Sequence, residues 1–491
     1  MESVKFDNSY SRLSDCFFVR QSPVAVTAPQ LIRLNNELAE SLGFNPDSRT
    51  SAEWAEVFAG NVLLDGSDPL AMAYAGHQFG SFVPQLGDGR ALLLAEVVDR
   101  DGIRRDIQLK GSGRTAFSRS GDGRAAIGPV LREYVVSEAM HVLGIPTTRA
   151  LAAVTTGEPV YRGTKLPGAI LTRVARSHVR VGTFQFFAAR QNWQAVRELV
   201  DYVIWRNYPE LQNRPARYVE LLQAVGERQA RLVSSWLGVG FIHGVMNTDN
   251  MSIAGETIDY GPCAFMDEYD PATVFSSIDH IGRYRYENQL GIVQWNLARL
   301  AEAILPLLDE DYEKAVNQAT EIVEAFYPQA EECWLDVMRG KLGFKESRPD
   351  DRELVESLLT LMHEAQADFT LTFRCLWKGI LSAEIPTELT NLVGASAKVD
   401  KWFLSWRQRL LAEGVSPQEA SERLRTTNPA LIPRNHNVER VLSAAVKDSD
   451  FAPIHRLVEQ LAKPYEASAD SMPEAEPPRP GQRVTQTFCG T

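Results

Sequence analysis

Two oxygen-donor side chains flank a tight turn in the segment 241–261. Asn250 precedes Asp259 across the turn formed by Ala254, Gly255 and Glu256. Carboxylate and amide oxygens are the ligands that Mg²⁺ prefers in proteins. A hairpin of this size can place both side chains on one ion. The segment is therefore predicted to hold the metal of a phosphoryl-transfer site.

The same segment follows the order of a protein-kinase catalytic loop, with one exception. Kinases carry His-Arg-Asp, four residues, Asn and then Asp-Phe-Gly. Here His243-Gly-Val245 leads to Asn250, and Asp259-Tyr-Gly follows. A valine cannot accept a proton, so Val245 leaves the usual general-base position empty. Either the chain is an inactive kinase or another carboxylate serves, and Asp249 is the nearest candidate.

A second group of residues, upstream, has the order of a phosphate-binding lobe. Gly87 and Gly89 stand just before a strand, where bare backbone N–H groups can approach a phosphate. Lys110 ends the next strand, and the following helix carries two glutamates. A helical carboxylate that pairs with a strand lysine aims the lysine at nucleotide phosphates. Periodicity does not choose between Glu133 and Glu138 as that partner.

Two arginines and an Asp-Gly pair extend this group. Arg173 lies in the last strand candidate, and Arg180 follows it in the segment that leads to the helical part. Guanidinium groups bind phosphate through a planar fork. Asp122 and Gly123 lie in a Gly/Ser-rich loop that can also approach a nucleotide.

The elements that must position these residues follow from hydrophobic periodicity. Strands are predicted over 91–99, 103–110, 149–156 and 168–175, and a helix begins at Pro129 and ends before Gly144. Beyond about residue 183 the pattern is that of long amphipathic helices. The sequence therefore predicts an α+β protein with a small β-rich lobe that contains one helix, followed by a larger helical lobe.

Composition limits the partners and the compartment. The chain has 491 residues, with 51 basic against 63 acidic side chains and a net charge of −12. Such a surface would repel nucleic acid. No apolar run is long enough to span a bilayer, and the first residues lack a secretory or transit pattern. The five cysteines are scattered. We expect a cytoplasmic protein that binds neither nucleic acid nor a membrane.

The chain resembles the selenoprotein O family of protein adenylyltransferases, which have a pseudokinase-like fold. The resemblance is carried by long motifs in one order, which are GDGR at 87–90, IQLKGSGRTAFSRSGDGRAA at 107–126, LREYVVSEAMHVLGIPTTRAL at 131–151, LTRVA at 171–175, FIHGVMNTDNMSI at 241–253 and IDYGPCAFMD at 258–267. The resemblance implies a bilobal kinase-like fold that binds ATP in a flipped orientation. It also implies transfer of AMP to Ser, Thr or Tyr hydroxyls of proteins, with release of pyrophosphate.

The same resemblance assigns roles to residues. Asp249 would act as base, Asn250 and Asp259 would bind Mg²⁺ or Mn²⁺, and Glu133 would pair with Lys110. The nucleotide would be held by Gly87, Gly89, Arg90, Lys110, Asp122, Gly123, Arg173, Arg180 and Asp259. The alternatives are a divergent kinase that transfers the γ-phosphate and a non-catalytic ATP-binding scaffold.

Family members carry a redox-active selenocysteine or cysteine near the C-terminus. Cys489 fits that place, and Cys263, close to Asp259, is its suggested disulfide partner. We expect a monomer with five segments, which are an N-terminal extension (1–82), a kinase-like N-lobe (83–182), a kinase-like C-lobe (183–390), a C-terminal helical extension (391–465) and a flexible Pro-rich tail (466–491).

Overall fold

The computed structural model describes residues 4–382 and 384–488. Within them an eight-stranded antiparallel sheet and two small two-stranded sheets account for the strands. The strands are β1 (Phe18–Arg20), β2 (Gln30–Leu34), β3 (Leu70–Met72), β4 (Gly76–Gln78), β5 (Ser81–Val83), β6 (Ala91–Val98), β7 (Arg104–Lys110), β8 (Ala125–Ala126), β9 (Arg149–Arg162), β10 (Thr164–Ala175), β11 (Phe241–Ile242) and β12 (Ala264–Phe265).

Helices form most of the remaining structure. They are α1 (Asn36–Ser41), α2 (Ser51–Phe58), α3 (Ile127–Val142), α4 (Val181–Ala188), α5 (Trp193–Asn207), α6 (Arg217–Gly238), α7 (Gln289–Leu308), α8 (Tyr312–Lys341), α9 (Asp351–Ala365), α10 (Phe369–Gly379), α11 (Thr387–Val393), α12 (Ala397–Leu411), α13 (Pro417–Thr427), α14 (Asn435–Asp448) and α15 (Ala452–Leu461). The predicted α+β class is confirmed.

The large sheet has the order β1-β3-β6-β7-β10-β9-β2, and β8 pairs with β10. The hairpin predicted over 91–110 is present as β6 and β7, with Ala91 opposite Lys110. Three of its strands come from residues before 83, a part of the chain for which the sequence predicted no strands. The first 82 residues thus contribute to the same sheet as the predicted β-rich lobe.

The alternation of β7 decides which side chains face the site. Gln108 and Lys110 lie two residues apart and share one face, because side chains alternate along a strand. Arg173 of β10 is paired with Gln108, so it joins that face. Leu109 points the other way, into a core that includes Trp54 and Phe58 of α2. Burial of one face therefore fixes the register that brings Lys110 and Arg173 together.

Helix α3 packs on the face that carries Lys110. It is buried around most of its circumference, and its apolar residues pack against β10 and α14. Gly144 follows the helix with φ +79, a left-handed conformation that ends helices and that glycine adopts without strain. The helix begins two residues before Pro129, which was predicted to open it.

The helical part surrounds a second and larger core. Helices α5 to α8 contribute to it, and their buried residues form one continuous cluster with β11 and β12. The loop between α6 and α7 contains both Asp249 and Asp259. Among the described residues, none of the helices combines the length and apolar composition that crossing a membrane requires.

The C-terminal segment differs from the flexible tail predicted over 466–491. Its described part packs on the protein in three short 3₁₀ turns. Ala469 and Ala475 are buried in the core beside α3. Both oxygens of Asp470 accept hydrogen bonds from Arg374 at 2.7 Å. The Pro-rich composition suggested disorder, but buried small side chains and a bidentate ion pair hold the segment in place.

Candidate active site

A cavity of about 740 Å³ opens between the sheet and the loop 245–261. It is lined by residues that the sequence singled out, which are Gly87, Gly89, Arg90, Lys110, Asp122, Gly123, Arg173, Arg180, Asp249, Asn250 and Asp259. They come from parts of the chain far apart in sequence. The fold therefore assembles the upstream and downstream groups into one site.

Charges at the back of this cavity form what we call the central ion cluster (Lys110, Glu133, Arg173, Arg180 and Asp259). Lys110 Nζ donates to Glu133 Oε2 at 2.7 Å and to Asp259 Oδ1 at 3.2 Å. Arg173 donates to both of these carboxylates. Arg180 donates to Asp259 Oδ2 at 3.4 Å. Three cations thus meet two carboxylates, and the cluster carries one excess positive charge.

The structure distinguishes the two helical glutamates that periodicity left open. Glu133 is a member of the central ion cluster; it is only 1% exposed and accepts a hydrogen bond from Lys110. Glu138 lies more than one turn further along α3 and accepts two hydrogen bonds from Arg149, at 2.9 and 2.7 Å. It also accepts one from Asn35. Glu138 is therefore committed to a different ion pair.

Electrostatics keep both carboxylates of the central ion cluster ionised. Burial alone would raise the pKa of Asp259, but Arg173, Lys110 and Arg180 outweigh it and hold that pKa well below its ordinary value. Glu133 behaves in the same way, since Arg173 and Lys110 overcome its burial and lower its pKa. The Asp259 carboxylate therefore pairs with Lys110, Arg173 and Arg180. Without it, these side chains could bind an anion that enters the cavity.

Asp249 stands apart from this cluster. Its side chain is buried, and Oδ1 has no hydrogen-bond partner among the described residues. Burial raises the pKa of Asp249 to about 6, although Arg180 acts in the opposite direction. Val245 lines the same cavity but offers no proton acceptor. A buried carboxylate oxygen without a hydrogen-bond partner is unusual in a folded protein, and one explanation for such a group is a catalytic role.

The donor set also fits a divalent cation of the Mg²⁺ type. No group of three or more His, Cys, Asp or Glu side chains with metal-ligand geometry occurs in the described part of the chain. Mg²⁺ does not need one, because it commonly binds one or two protein oxygens together with waters and substrate phosphates. Asn250 and Asp259 offer such oxygens in one cavity, beside the unpartnered oxygen of Asp249.

The two glycines before β6 are required by close packing. Gly87 has φ +71, and a Cβ there would lie 2.3 Å from the ring of Phe117. A Cβ at Gly89 would lie 3.0 Å from the carbonyl oxygen of Phe117. Both glycines therefore let this turn lie against the 111–124 loop, and together they bring Arg90 to the cavity wall.

Asp122 and Gly123 lie at the rim of the cavity. Asp122 accepts two hydrogen bonds from Arg162, both at 2.8 Å, and its pKa is lowered mainly by that arginine. Gly123 has φ +69, and a Cβ there would overlap the backbone of Gly113. The structure thus gives both residues a role in the loop conformation as well as a place on the rim.

Of the two cysteines predicted to pair, only Cys263 lies among the residues that the structure describes. Cys263 is fully buried and follows Pro262, which lines the cavity. Thr487 hydrogen-bonds the carbonyl of Pro262 through Oγ1 at 2.6 Å, so the C-terminal segment passes close by. Cys489 lies outside the described residues. Its pairing with Cys263 stays a prediction.

Comparisons with known proteins identify the family of the chain. The model of the family described as "Protein adenylyltransferase SelO" matches residues 1–462. A protein of Rhizobium rhizogenes named "Protein nucleotidyltransferase YdiU" is 58% identical over 99% of this chain and 97% of its own. Relatives with the same name in Rhizobium meliloti and Bradyrhizobium diazoefficiens are 56% and 58% identical, and the alignments cover 99% or more of each chain.

The chain belongs to the SelO family.

Membership makes this SelO-family protein an enzyme of the nucleotidyltransferase class. The family match includes the first 82 residues, which contribute site residues that sequence reasoning missed. Tyr74, Gln78 and Phe79 line the cavity, and Arg180 lies over the Tyr74 ring at 4.4 Å. The sequence contains one local sign of this segment, because Gly76 and Gly80 flank His77-Gln-Phe79 as glycines flank a tight turn.

Several charged residues of the cavity were also missed. Asp88, between the two glycines, is buried, and its carboxylate accepts a hydrogen bond from the Met72 amide at 3.1 Å. Arg119, Arg124 and Arg162 add to the basic lining. Among the described residues, seven lysine or arginine side chains line the cavity against four aspartates. The site is thus locally basic in a protein whose net charge is −12.

Proposed function

We propose that this SelO-family protein transfers AMP from ATP to Ser, Thr or Tyr hydroxyls of protein substrates and releases pyrophosphate. The observation that carries the proposal is the pairing of a basic cavity with the partnerless carboxylate oxygen of Asp249. We also propose that the sheet and the helical part correspond to the two lobes of a kinase-like fold. ATP would lie between them in the flipped orientation.

The central ion cluster would hold the triphosphate. Lys110 and Arg173 both donate to Oδ1 of Asp259. Phosphate oxygens of a bound nucleotide would compete with this carboxylate for the same two donors. A triphosphate brings more negative charge than one carboxylate, so the cations would turn toward it. Glu133 would keep Lys110 and Arg173 in place from below. Arg90, at the cavity wall, would add a further phosphate contact.

Asn250 and Asp259 would hold Mg²⁺, with Mn²⁺ as the alternative metal. When bound, the ion supplies positive charge that polarises phosphate oxygens. Asp259 is ionised and so suited to this role, because neighbouring cations hold its pKa down. The amide of Asn250 is already oriented by a hydrogen bond from Nδ2 to the Val245 carbonyl at 2.9 Å.

Asp249 would act as the general base. The acceptor hydroxyl oxygen forms a bond to the α-phosphorus, the bond from that phosphorus to the bridging oxygen of the β-phosphate breaks, and the hydroxyl proton passes to Asp249. The leaving pyrophosphate takes the electron pair of the broken bond. Burial raises the pKa of Asp249, which makes its carboxylate a stronger base than that of an exposed aspartate.

The decisive experiment follows the two ends of ATP. Protein, Mg²⁺ and ATP labelled at the α- or γ-phosphate are incubated with casein, an unfolded acceptor rich in hydroxyl side chains. We expect label on protein from the α-position only, together with pyrophosphate. Label from the γ-position only would favour the divergent kinase. Tight ATP binding without labelled protein would favour the scaffold.

A further inference from the structure

The hairpin of β4 and β5 lies outside the large sheet and against the loop that carries Asp249. The backbone N–H of His77 donates to Thr248 Oγ1 at 2.7 Å, and that of Phe79 donates to Asn247 Oδ1 at 3.0 Å. The Thr248 hydroxyl in turn donates to Gln185 Oε1 at 2.7 Å. The hairpin is therefore bonded to the two residues directly before Asp249.

The tip of this hairpin is held in a strained conformation. Phe79 has φ +50 and Gly80 has φ +84. A left-handed conformation is unfavourable for a bulky residue, and contacts with the surrounding structure must offset its cost. The Phe79 ring packs edge-on against Tyr284 at 5.1 Å, and Tyr284 donates to the same Asn247 oxygen at 2.7 Å. Contacts from two sides thus keep the tip over the active-site loop.

Gly76 allows an unusually close approach to Asp249. A Cβ at this position would lie 2.4 Å from Asp249 Oδ1 and 2.9 Å from Cγ. That oxygen is the buried one without a partner among the described residues. Any larger residue at position 76 would fill the space beside it. The hairpin backbone therefore forms one wall around the oxygen that would receive the acceptor proton.

Alternation along β4 points Gln78 into the cavity. The His77 side chain faces away, toward Gln185 at 2.9 Å and the Trp295 ring at 5.2 Å. Its neighbours Gly76 and Gln78 face the other side, because side chains alternate along a strand. Gln78 lines the cavity and is partly exposed there. Its amide lies next to Asp249, and a hydrogen bond from it acts to lower the pKa of that carboxyl. The amide oxygen can accept a hydrogen bond from another group.

We propose that the hairpin 76–83 is the acceptor-side wall of the active site and that Gln78 binds the acceptor chain. Its amide would hydrogen-bond the hydroxyl-bearing residue and turn that hydroxyl toward Asp249. The inference rests on the proposed AMP transfer and deepens it by naming the residue that receives the protein substrate. A hydrogen bond that orients a reactant affects turnover more than nucleotide binding.

The test compares Gln78→Ala and Gln78→Glu with wild type and with Ser81→Ala. Ser81 pairs with Gln78 across the hairpin but is exposed and lies outside the cavity lining, so it is the matched control. Transfer of α-labelled AMP to casein is measured at varied ATP and casein. We expect both Gln78 variants to lose about tenfold to hundredfold in kcat. Their KM for ATP should stay within twofold, their melting temperatures should match wild type, and Ser81→Ala should behave as wild type.

Three results would overturn the role of Gln78 and leave the proposed AMP transfer intact. The first is a Gln78→Ala enzyme with kcat within twofold of wild type. The second is a loss in which KM for ATP rises as much as kcat falls, and the third is a loss that Ser81→Ala shares. Wild-type protein that transfers no AMP would instead overturn the proposed function and this inference together, so the two failures are distinguishable.

Discussion

Two buried ion clusters are built on the same face of β7. They differ in their access to the cavity and in their balance of charge. The first is the central ion cluster at Lys110. The second, which we call the Arg206 cluster (Glu96, Asp106, His178 and Arg206), lies around Asp106, four residues earlier on the strand. Arg206 donates to Glu96 at 2.6 Å and also to Asp106, and the His178 amide donates to Asp106 at 2.8 Å.

The Arg206 cluster is closed. Glu96 also accepts from the Tyr10 amide at 2.5 Å, and Arg206 donates to the Tyr202 hydroxyl at 2.8 Å. None of its four members lines the cavity beside the central ion cluster, within the part of the chain that the structure describes. The central ion cluster has an excess of cations and faces that cavity. Access and charge imbalance, rather than burial alone, thus separate a binding site from a structural ion network.

The largest expected effect is a loss of AMP transfer on substitution of Asp249, in the cavity that the central ion cluster faces. We expect Asp249→Asn to slow AMP transfer by about 10²- to 10⁴-fold, because it removes the proton acceptor. ATP binding, measured by calorimetry, should change little. Asp259→Asn is the matched comparison, and it should lose metal-dependent ATP binding as well as transfer. An Asp249→Asn enzyme with wild-type turnover would contradict the assignment of the base.

The next effect concerns the Arg206 cluster. We expect Arg206→Ala to lower the free energy of unfolding by about 3–5 kcal/mol, because it removes the cation that two buried carboxylates share. Arg104, 3.6 Å from Glu96, would remain as a partner for that carboxylate only. Urea unfolding measures this loss. Arg206→Lys keeps the charge but not the planar fork, so it should fall between the alanine variant and wild type. A change below about 1 kcal/mol for Arg206→Ala would mean that the Arg206 cluster contributes little to stability.

The smallest effect comes from a solitary buried charge, Lys341. It is 4% exposed, and none of the ion pairs within the described residues includes it. Its ammonium group lies 4.3 Å from the Phe373 ring centroid. Burial lowers the pKa of Lys341 to about 7. Between pH 7 and about 10.5 the unfolded chain holds the proton that the folded chain has lost, so stability rises with pH in this window.

Replacing Lys341 by Met should therefore stabilise the protein. We expect a gain of about 1–3 kcal/mol at pH 7, which shrinks as the pH approaches 10. Urea unfolding at pH 7 and 9.5 gives both values. Lys345→Met, on an exposed lysine nearby, is the control and should show no such trend. Parallel pH dependence in wild type and Lys341→Met would exclude the burial argument.

Most of the residues at the centre of the site could be found from sequence, because their signals are local. Lys110 ends an alternating strand in the structure too, and Asn250 and Asp259 both line the cavity. The hairpin predicted between them is not formed, because Ser252 pairs with Arg180 and Thr257 with Thr147. The choice between Glu133 and Glu138 could not be made in this way. Helix α3 is buried on nearly every side, so its amphipathic pattern carries no information about which carboxylate meets the lysine.

The hairpin 76–83 and the C-terminal segment show why other parts were missed. His77 and Thr248 are 171 residues apart in sequence, and nothing in either segment indicates the other. Gly76 resembles any turn glycine until Asp249 is placed against it. Likewise, the polar composition of 466–488 conceals that its few alanines fit a groove beside α3.

By itself, the sequence determined the chemistry available to this protein and the α+β class, since residue types and strand alternation depend on neighbours along the chain. The tertiary structure decided which charges meet, which carboxylate oxygen remains without a partner, and which wall faces the acceptor. Those properties depend on packing between distant segments, where a shift of one residue in register would turn Lys110 away from Glu133.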